Sequence, residues 1–160
     1  MAWTNDNVPK IVYEMDDQAT NTIAQIAATL DHNEFGTAGD LLRSMGAATA
    51  VNLERATNRT VNATIKEVTD LSKSRQYHSK SGYIGHGNMV SQVKDHKTSK
   101  GTHEIYTDAL AADGYNYSQA FEFGLLNRNY PAHHPFEDAA RHLDGEFEWN
   151  VDEAIKRGMR

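Results

Sequence analysis

The chain has 160 residues, carries a formal net charge of −6 and contains no cysteine. Its length suits one domain with a buried core and is short for two, and the missing cysteines exclude a disulfide framework and a thiolate metal site. The acidic balance argues against a protein that wraps around nucleic acid, because phosphate neutralisation needs surplus Lys and Arg on the contacting face. The acidic balance leaves open a protein with a negatively charged surface past which DNA slides.

The apolar content is low for a self-sufficient globule, at 39% hydrophobic residues, but five Phe, seven Tyr and two Trp exclude a typical disordered composition. We therefore expect a thin core that neighbouring chains complete. The first ten residues lack a cationic segment followed by an apolar run, and no stretch approaches the ~18 apolar residues of a membrane helix. These features predict a soluble protein of cytoplasmic origin without membrane contact.

The first predicted element is a strand over residues 8–15, VPKIVYEM. Pro9 favours an edge position because proline cannot donate to a β-ladder. A helix follows, with its apolar face at Ile23, Ile26, Ala27 and Leu30, and it ends near residues 33–36.

The second predicted helix begins at Thr37 and Asp40, whose spacing is that of a capping box. Its apolar line is spaced by three and four residues and comprises Leu42, Met45, Thr49, Leu53, Thr57, Val61, Ile65 and Val68. About thirty residues would make a helix of about 45 Å, longer than this domain needs, so we expect part of it to pack on another chain. The alternative is a break near Asn58, since Thr and Asn weaken helix propensity.

Residues 72–101 read as a long polar loop, which is typical of functional or disordered segments. Within and after it, residues 89–95 and 102–111 predict the two strands of an antiparallel hairpin, joined by a turn at 98–101. The last helix is predicted to begin at Pro135 and to bury the stripe Phe136, Ala140, Leu143, Phe147 and Val151. On its exposed side, Glu137 with Arg141 and Glu153 with Arg157 form i, i+4 pairs.

Together these elements predict an α+β fold, a small antiparallel sheet packed against a long N-terminal helix and a C-terminal helix. We expect a single domain over residues 1–160. It comprises an N-terminal extension (1–36), the long helix (37–71), a loop with the first hairpin strand (72–101), and the remaining sheet with the last helix (102–160).

No catalytic, cofactor or metal site is predicted. The eight histidines contain no HExxH pair, and although His134, Asp138 and His142 share i, i+4 spacing, a polar helix face explains them better than a metal. The glycine loop 82–88 lacks the GxxxxGK[ST] ending and any βαβ context, and no GxSxG elbow occurs. A modest basic patch at Arg75, Lys80, Lys94, Lys97 and Lys100 reads mainly as a solvated loop.

The most distinctive stretch is aromatic and proline-rich, a composition favoured in interfaces. Its members are Tyr115, Tyr117, Phe121, Phe123, Tyr130, Pro131, Pro135 and Phe136. Strand-like alternation would place Phe121 and Phe123 on one side and Glu122 on the other.

Three short motifs here resemble the neck and tail-completion (tail-terminator-like, head-tail connector) proteins of long-tailed double-stranded DNA phages. They are SGYI at 81–84, YSQAFEFG at 117–124 and PFEDAA at 135–140, and their order and spacing agree from about Leu41 onward. The residues that match the family motifs are Gly82, Ile84, Tyr117, Phe121, Phe123, Gly124, Pro135, Phe136 and Ala140. Leu125 departs from the family's Thr, Asp138 replaces a residue that is often basic, and residues 1–36 match nothing.

The resemblance implies a virion structural protein, a non-catalytic homo-oligomeric ring, six-fold by expectation, in the phage neck or tail end. Its partners would be the head-side connector (head-closure) protein, the tail tube protein and DNA that passes non-specifically through the lumen.

Physical roles can be assigned to the motif residues independently. Gly124 supplies a backbone geometry closed to other residues, and Phe121, Phe123 and Phe136 pack the sheet on the last helix. Glu122 faces a basic group or amides of a neighbouring subunit, together with the loop 127–135. The interface hypothesis thus comprises Glu122, Asn127, Arg128, Tyr130 and Pro131.

Two alternatives from other classes stay open at this point. One is a metal-dependent DNA-processing enzyme that uses the histidines, and the other is a monomeric adaptor that docks through the aromatic segment.

Overall fold

The computed structural model describes residues 8–16, 18–33, 35–76, 88–99, 101–111 and 113–160. The fold is α+β, as predicted, with a long helix, a three-stranded antiparallel sheet and a C-terminal helix. The elements in chain order are β1 (Ile11–Glu14), α1 (Gln18–His32), α2 (Gly36–Gln76), α3 (Asn88–Ser91), β2 (Val93–Ser99), β3 (Thr102–Thr107), α4 (Ser118–Phe123), a 3-10 helix (Leu126–Arg128) and α5 (Pro135–Gly158). Among the described helices, none combines the length and the apolar character needed to cross a membrane.

The sheet has the order β1-β3-β2, so β1 is an edge strand, as Pro9 predicts. The hairpin of β2 and β3 is antiparallel. Side chains alternate between buried and accessible along β1, where Ile11 and Tyr13 are buried, and along β3, where Ile105 is fully buried. The inward side chains of these two strands therefore form the buried side of the sheet.

The chain divides into two compact units. The sheet unit comprises residues 1–13 and 61–144, and the helical unit comprises residues 14–60 and 145–160. In the sheet unit, Met89, Ala109 and Phe121 form a buried cluster, and the Tyr13 and Thr64 hydroxyls lie 2.8 Å apart.

The core of the helical unit lies where α2 meets the end of α5. Leu53, Ala56 and Ala154 are buried there, with Val151 and Ile155 packed against them. A Cβ on Gly158 would overlap Thr49, so the two helices approach closely because this position lacks a side chain.

Helix α2 spans 41 residues and is therefore about 60 Å long. It is longer than predicted and has no break near Asn58, so that alternative is wrong. The predicted apolar line is confirmed, since its threonines Thr49 and Thr57 are 0% and 1% exposed. Their hydroxyls donate to the carbonyls of Met45 and Leu53 at 2.8 and 3.0 Å, so these polar groups are buried with their hydrogen bonds made.

Two boundaries differ from the predictions. Thr37 lies inside α2, which begins at Gly36, so it cannot cap the helix, and Asp40 instead bonds Arg43 at 2.6 Å. Residues 88–91 are helical rather than part of the first hairpin strand, which begins at Val93.

The second hairpin strand is also shorter than predicted, because β3 ends at Thr107. The Thr107 carbonyl there accepts a hydrogen bond from the Asn116 side chain. The motif residues Gly82 and Ile84, like most of the glycine loop, lie outside the described residues.

Candidate functional site: a closed loop before the last helix

Residues 123–132, from the last residue of α4 toward the start of α5, form a loop whose two ends are held together. The His133 N–H donates to the Phe121 carbonyl at 2.9 Å, and the His134 N–H donates to the Glu122 carbonyl at 3.3 Å. Loops of this size whose ends lie close are compact and frequently functional. We call residues 123–132 the closed loop.

A second pair of backbone hydrogen bonds closes the interior of this loop. The Leu125 N–H donates to the Tyr130 carbonyl at 2.9 Å, and the Tyr130 N–H donates to the Leu125 carbonyl at 3.1 Å. Between them the chain makes a 3-10 turn and then passes through Asn129, which has φ 52°. Asparagine tolerates this left-handed conformation, so the sequence is compatible with the tight turn.

Gly124 lies where two parts of the closed loop approach each other. Its φ of 73° and ψ of 175° lie in a region that is essentially restricted to glycine. A Cβ at this position would lie 2.8 Å from the Ala132 nitrogen and 2.8 Å from the Tyr130 oxygen. The prediction that Gly124 supplies a geometry closed to other residues is confirmed.

Glu122 is 2% exposed and caps the last helix from a distance in sequence. Its Oε2 accepts the Phe136 N–H and its Oε1 accepts the Glu137 N–H, each at 2.9 Å. These are first-turn amides of α5, which have no partner within the helix, and a carboxylate is favoured beside them. Burial nevertheless raises the pKa of Glu122, against the opposing effect of the two amide bonds.

This position corrects the hypothesis that Glu122 faces a neighbouring subunit. Both carboxylate oxygens are buried and already bonded to amides of the same chain. The other residues of that hypothesis lie on the closed loop, where Asn127, Arg128 and Pro131 are exposed and Tyr130 is half-buried.

The two motif phenylalanines of α4 have opposite environments. Phe121 is 6% exposed, whereas Phe123 is 60% exposed, so the expectation that both lie on one side is wrong. The reason is that residues 118–123 form a helical turn rather than a strand, so side chains advance by about 100° per residue instead of alternating. Phe123 consequently does not join the sheet to the last helix, while Phe136 is buried at 3%.

A stacked pair of rings lies at the base of the closed loop. The rings of Phe121 and His133 are 4.5 Å apart and within 3° of parallel, and Tyr130 lies 5.4 Å from His133. Burial lowers the pKa of His133. The neutral imidazole therefore suits this aromatic site better than the cation.

Arg75, near the end of α2, binds the same region. Its guanidinium donates to the His133 carbonyl and, at 2.7 Å, to Asp138 in the first turn of α5. This ion pair lowers the pKa of Asp138. Asp138, a departure from the family pattern, thus has a structural partner. Within the described part of the predicted basic patch, Arg75 pairs with Asp138 and Lys94 pairs with Asp108.

Asn116 is a structural residue that the sequence reasoning missed. Its Nδ2 donates to the Thr107 carbonyl at 2.7 Å, and its Oδ1 accepts both the Ser118 N–H at 3.1 Å and the Ser118 hydroxyl at 2.6 Å. It thereby ties the end of β3 to the start of α4. The available signal was an Asn two residues before a Ser, a spacing typical of an Asx turn.

The closed loop presents apolar surface at its outside. Leu126 is 100% exposed and Phe123 is 60% exposed. Because the backbone around them is held by the bonds described above, these side chains are displayed on a preformed support.

One group of side chains has the composition of a metal site. Potential ligand atoms of Glu122, His134 and Glu137 lie within 4.8 Å of one another. However, both oxygens of Glu122 already accept amide hydrogens at the positive end of a helix, which disfavours a cation. His134, Asp138 and His142, which share i, i+4 spacing, have other partners: Asp138 binds Arg75, and the His142 Nδ1 lies 2.9 Å from Glu67.

Comparison of the chain with protein-family models, with curated proteins and with solved structures gives no match.

Replacing His133 by phenylalanine tests the protonation of the stacked ring. The folded pKa lies below the usual 6.5, so this group's contribution to stability is present above pH 6.5 and is lost as the pH falls through the lowered value. We expect the wild type to lose more stability than His133→Phe between pH 7 and pH 5 in urea unfolding. The exposed His142, changed to Gln, is the control; an equal acid loss in wild type and His133→Phe would contradict the assignment.

Proposed function

We propose that the chain is a structural subunit of a phage neck or tail end. It forms a homo-oligomeric ring that joins the head connector to the tail tube and lines the DNA passage. The observation that carries the proposal is the closed loop, which holds a fully exposed Leu126 and a largely exposed Phe123 on a backbone fixed by two sets of hydrogen bonds. Apolar side chains displayed on a rigid support are a feature of association surfaces.

Hydrogen bonds between the motifs support the same proposal. The two described motifs, at 117–124 and 135–140, are separate in sequence, yet Glu122 of the first bonds the amides of Phe136 and Glu137 in the second. Gly124 then fixes the loop that runs between them. The two motifs therefore position the closed loop together, which gives a physical reason for their joint occurrence.

Burial of Leu126 and Phe123 would contribute to each contact in a ring. Burying one leucine contributes about 1.5–3 kcal/mol, and phenylalanine contributes a similar amount. A preformed loop loses little further conformational entropy on association. When one surface patch contacts a different patch on the next subunit, the contacts can close a ring in which each subunit takes part in two contacts.

The test is the oligomeric state of the purified chain and of its Leu126→Asp variant, measured by mass photometry and negative-stain microscopy. We expect rings for the wild type and a dissociation constant at least about tenfold higher for the variant, from the lost leucine burial.

The matched control is Leu41→Asp, which changes an equally large aliphatic side chain that is 61% exposed in the helical unit. It is expected to keep the rings. A strictly monomeric wild type that binds one soluble partner would favour the adaptor alternative, and rings that persist in Leu126→Asp would remove the closed loop from the contact.

A further inference from the structure

The helical unit contains a groove that the ring contact does not use. Its cavity volume is about 160 Å³, and it lies between α2 and α5. The side chains that carry its chemistry are Asn52, Arg55, Arg59, Trp149, Glu153 and Arg157. All of them belong to the helical unit, so the groove is complete within one chain.

The groove is electropositive although the chain as a whole is acidic. It contains three arginines and one carboxylate, Glu153. Within the described part of the chain, Arg55 and Arg59 form no ion pair, whereas Arg43, Arg75 and Arg141 each pair with a carboxylate. Glu153 is shared, at 3.9 Å from Arg157 and 3.7 Å from Lys156. The unpaired guanidinium groups favour an anion in the groove.

The spacing of the two unpaired arginines suits one tetrahedral anion. Residues at i and i+4 on a helix lie about 5–6 Å apart between their Cβ atoms, so Arg55 and Arg59 project from the same face of α2. Guanidinium groups bind phosphate oxygens in bidentate fashion, and several N–H donors can therefore converge on one phosphate group. The groove thus resembles a phosphate site more than a site for a single carboxylate.

Trp149 adds an aromatic surface to this groove and is 59% exposed. An exposed indole next to arginines is the combination with which proteins bind nucleotides, because the base stacks on the ring while the cations hold the phosphate. A carboxylate-rich peptide would make no comparable use of the indole. The aromatic side chain therefore favours a nucleotide over an acidic protein segment.

The cavity volume limits the size of the ligand. Small-molecule sites usually enclose about 300–1,000 Å³, so about 160 Å³ is too small for a whole dinucleotide cofactor. It is large enough for a phosphate and its attached sugar atoms, with the base outside on Trp149.

We propose that this groove binds the phosphate of a nucleotide unit, free or within a single strand, with the base stacked on Trp149. The proposal does not rest on ring assembly, because every residue involved lies in one helical unit.

Binding is measured as fluorescence anisotropy of a labelled oligo(dT) twelve-mer at 50 mM salt. We expect Arg55→Gln with Arg59→Gln to weaken binding at least about tenfold and to reduce the salt slope by about 0.7, the contribution of the one phosphate that the two arginines share. The control Arg141→Gln removes one positive charge from the other unit and is expected to change the affinity less than about twofold. Because all three arginines are exposed, circular dichroism should show intact folds.

Stacking of a base on Trp149 is measured separately, by tryptophan fluorescence. The chain has two tryptophans, so a Trp3→Phe background leaves Trp149 as the only indole. We expect its fluorescence to be quenched by oligo(dT) and by thymidine monophosphate, and less by an abasic sugar-phosphate strand or a duplex. Quenching by the mononucleotide alone would assign the site to free nucleotides, and stronger quenching by the strand would assign it to nucleic acid.

Three outcomes would overturn the proposal: no binding, equal losses in the groove and control variants, or displacement of the strand by poly-glutamate as effectively as by unlabelled oligo(dT). The last would assign the groove to an acidic protein segment. Repeating the titration with Leu126→Asp separates this proposal from the ring, because strand binding should survive when the rings do not.

Discussion

Replacing Gly124 by alanine is expected to destabilise the protein by about 3–5 kcal/mol. The backbone conformation of Gly124 costs another residue about 1–3 kcal/mol. The added Cβ would also lie 2.8 Å from two backbone atoms, which can move only if the closed loop moves. A loss of this size is a large part of the stability of a typical domain, and it should appear as a lower urea midpoint.

Two other glycines serve as controls that separate the conformational cost from the steric overlap. Gly114 has φ 81° and open space around it, so Gly114→Ala should incur only the conformational cost, about 1 kcal/mol. Gly145 lies in α5, also with open space, and Gly145→Ala should stabilise the protein by about 0.5–1 kcal/mol. If Gly124→Ala cost no more than Gly114→Ala, the close approach within the loop would be refuted.

Replacing Glu122 by alanine is expected to cost about 2–4 kcal/mol. The change leaves the N–H groups of Phe136 and Glu137 without acceptors at a buried helix start, and each unsatisfied donor costs about 1–3 kcal/mol. Glu122→Gln keeps one acceptor oxygen and should lose about half as much. Urea unfolding followed by circular dichroism measures both.

The exposed neighbour Glu137 is the control, because Glu137→Ala loses only an i, i+4 pair with Arg141, worth a few tenths of a kcal/mol.

The contribution of Glu122 to the stability of the protein should also depend on pH, with a defined sign. Since burial raises the folded pKa of Glu122 above 4.5, the stability that this group contributes is complete below pH 4.5 and declines as the pH rises through the raised value. The advantage of wild type over Glu122→Gln should therefore shrink with rising pH; an advantage that grows would contradict a raised pKa.

The three long helices, α1, α2 and α5, could be predicted because their signals are local. The three- and four-residue spacing along α2 correctly identified Leu53, Thr57, Val61 and Val68 as buried but missed Ala56, Thr60 and Thr64. Pro135 marked the start of α5. Both signals depend on helical geometry and on the properties of single residues, which are present in the sequence itself.

The candidate site could be predicted only in part, because its contacts join distant residues. The composition around Phe123 matched a strand as well as a short helix, and only tertiary contacts decide between them. The link from Glu122 to the Phe136 amide spans fourteen positions, and the link from Arg75 to Asp138 spans sixty-three. Neither produces a periodic pattern, so a single sequence carries no sign of either partner.

The position of β1 in the sheet has a consequence for the order of events on the ribosome. β1 pairs with β3, and Lys10 lies 3.4 Å from Glu104, 94 positions later in the chain. At about 5–20 residues per second, the strand that emerges early waits roughly 5–20 s for its partner. Throughout that interval Ile11 and Tyr13, buried in the finished sheet, lie on a nascent strand that has no sheet to join. We expect co-translational chaperones to bind this nascent segment. Pro9 limits pairing of the strand with an incorrect sheet edge.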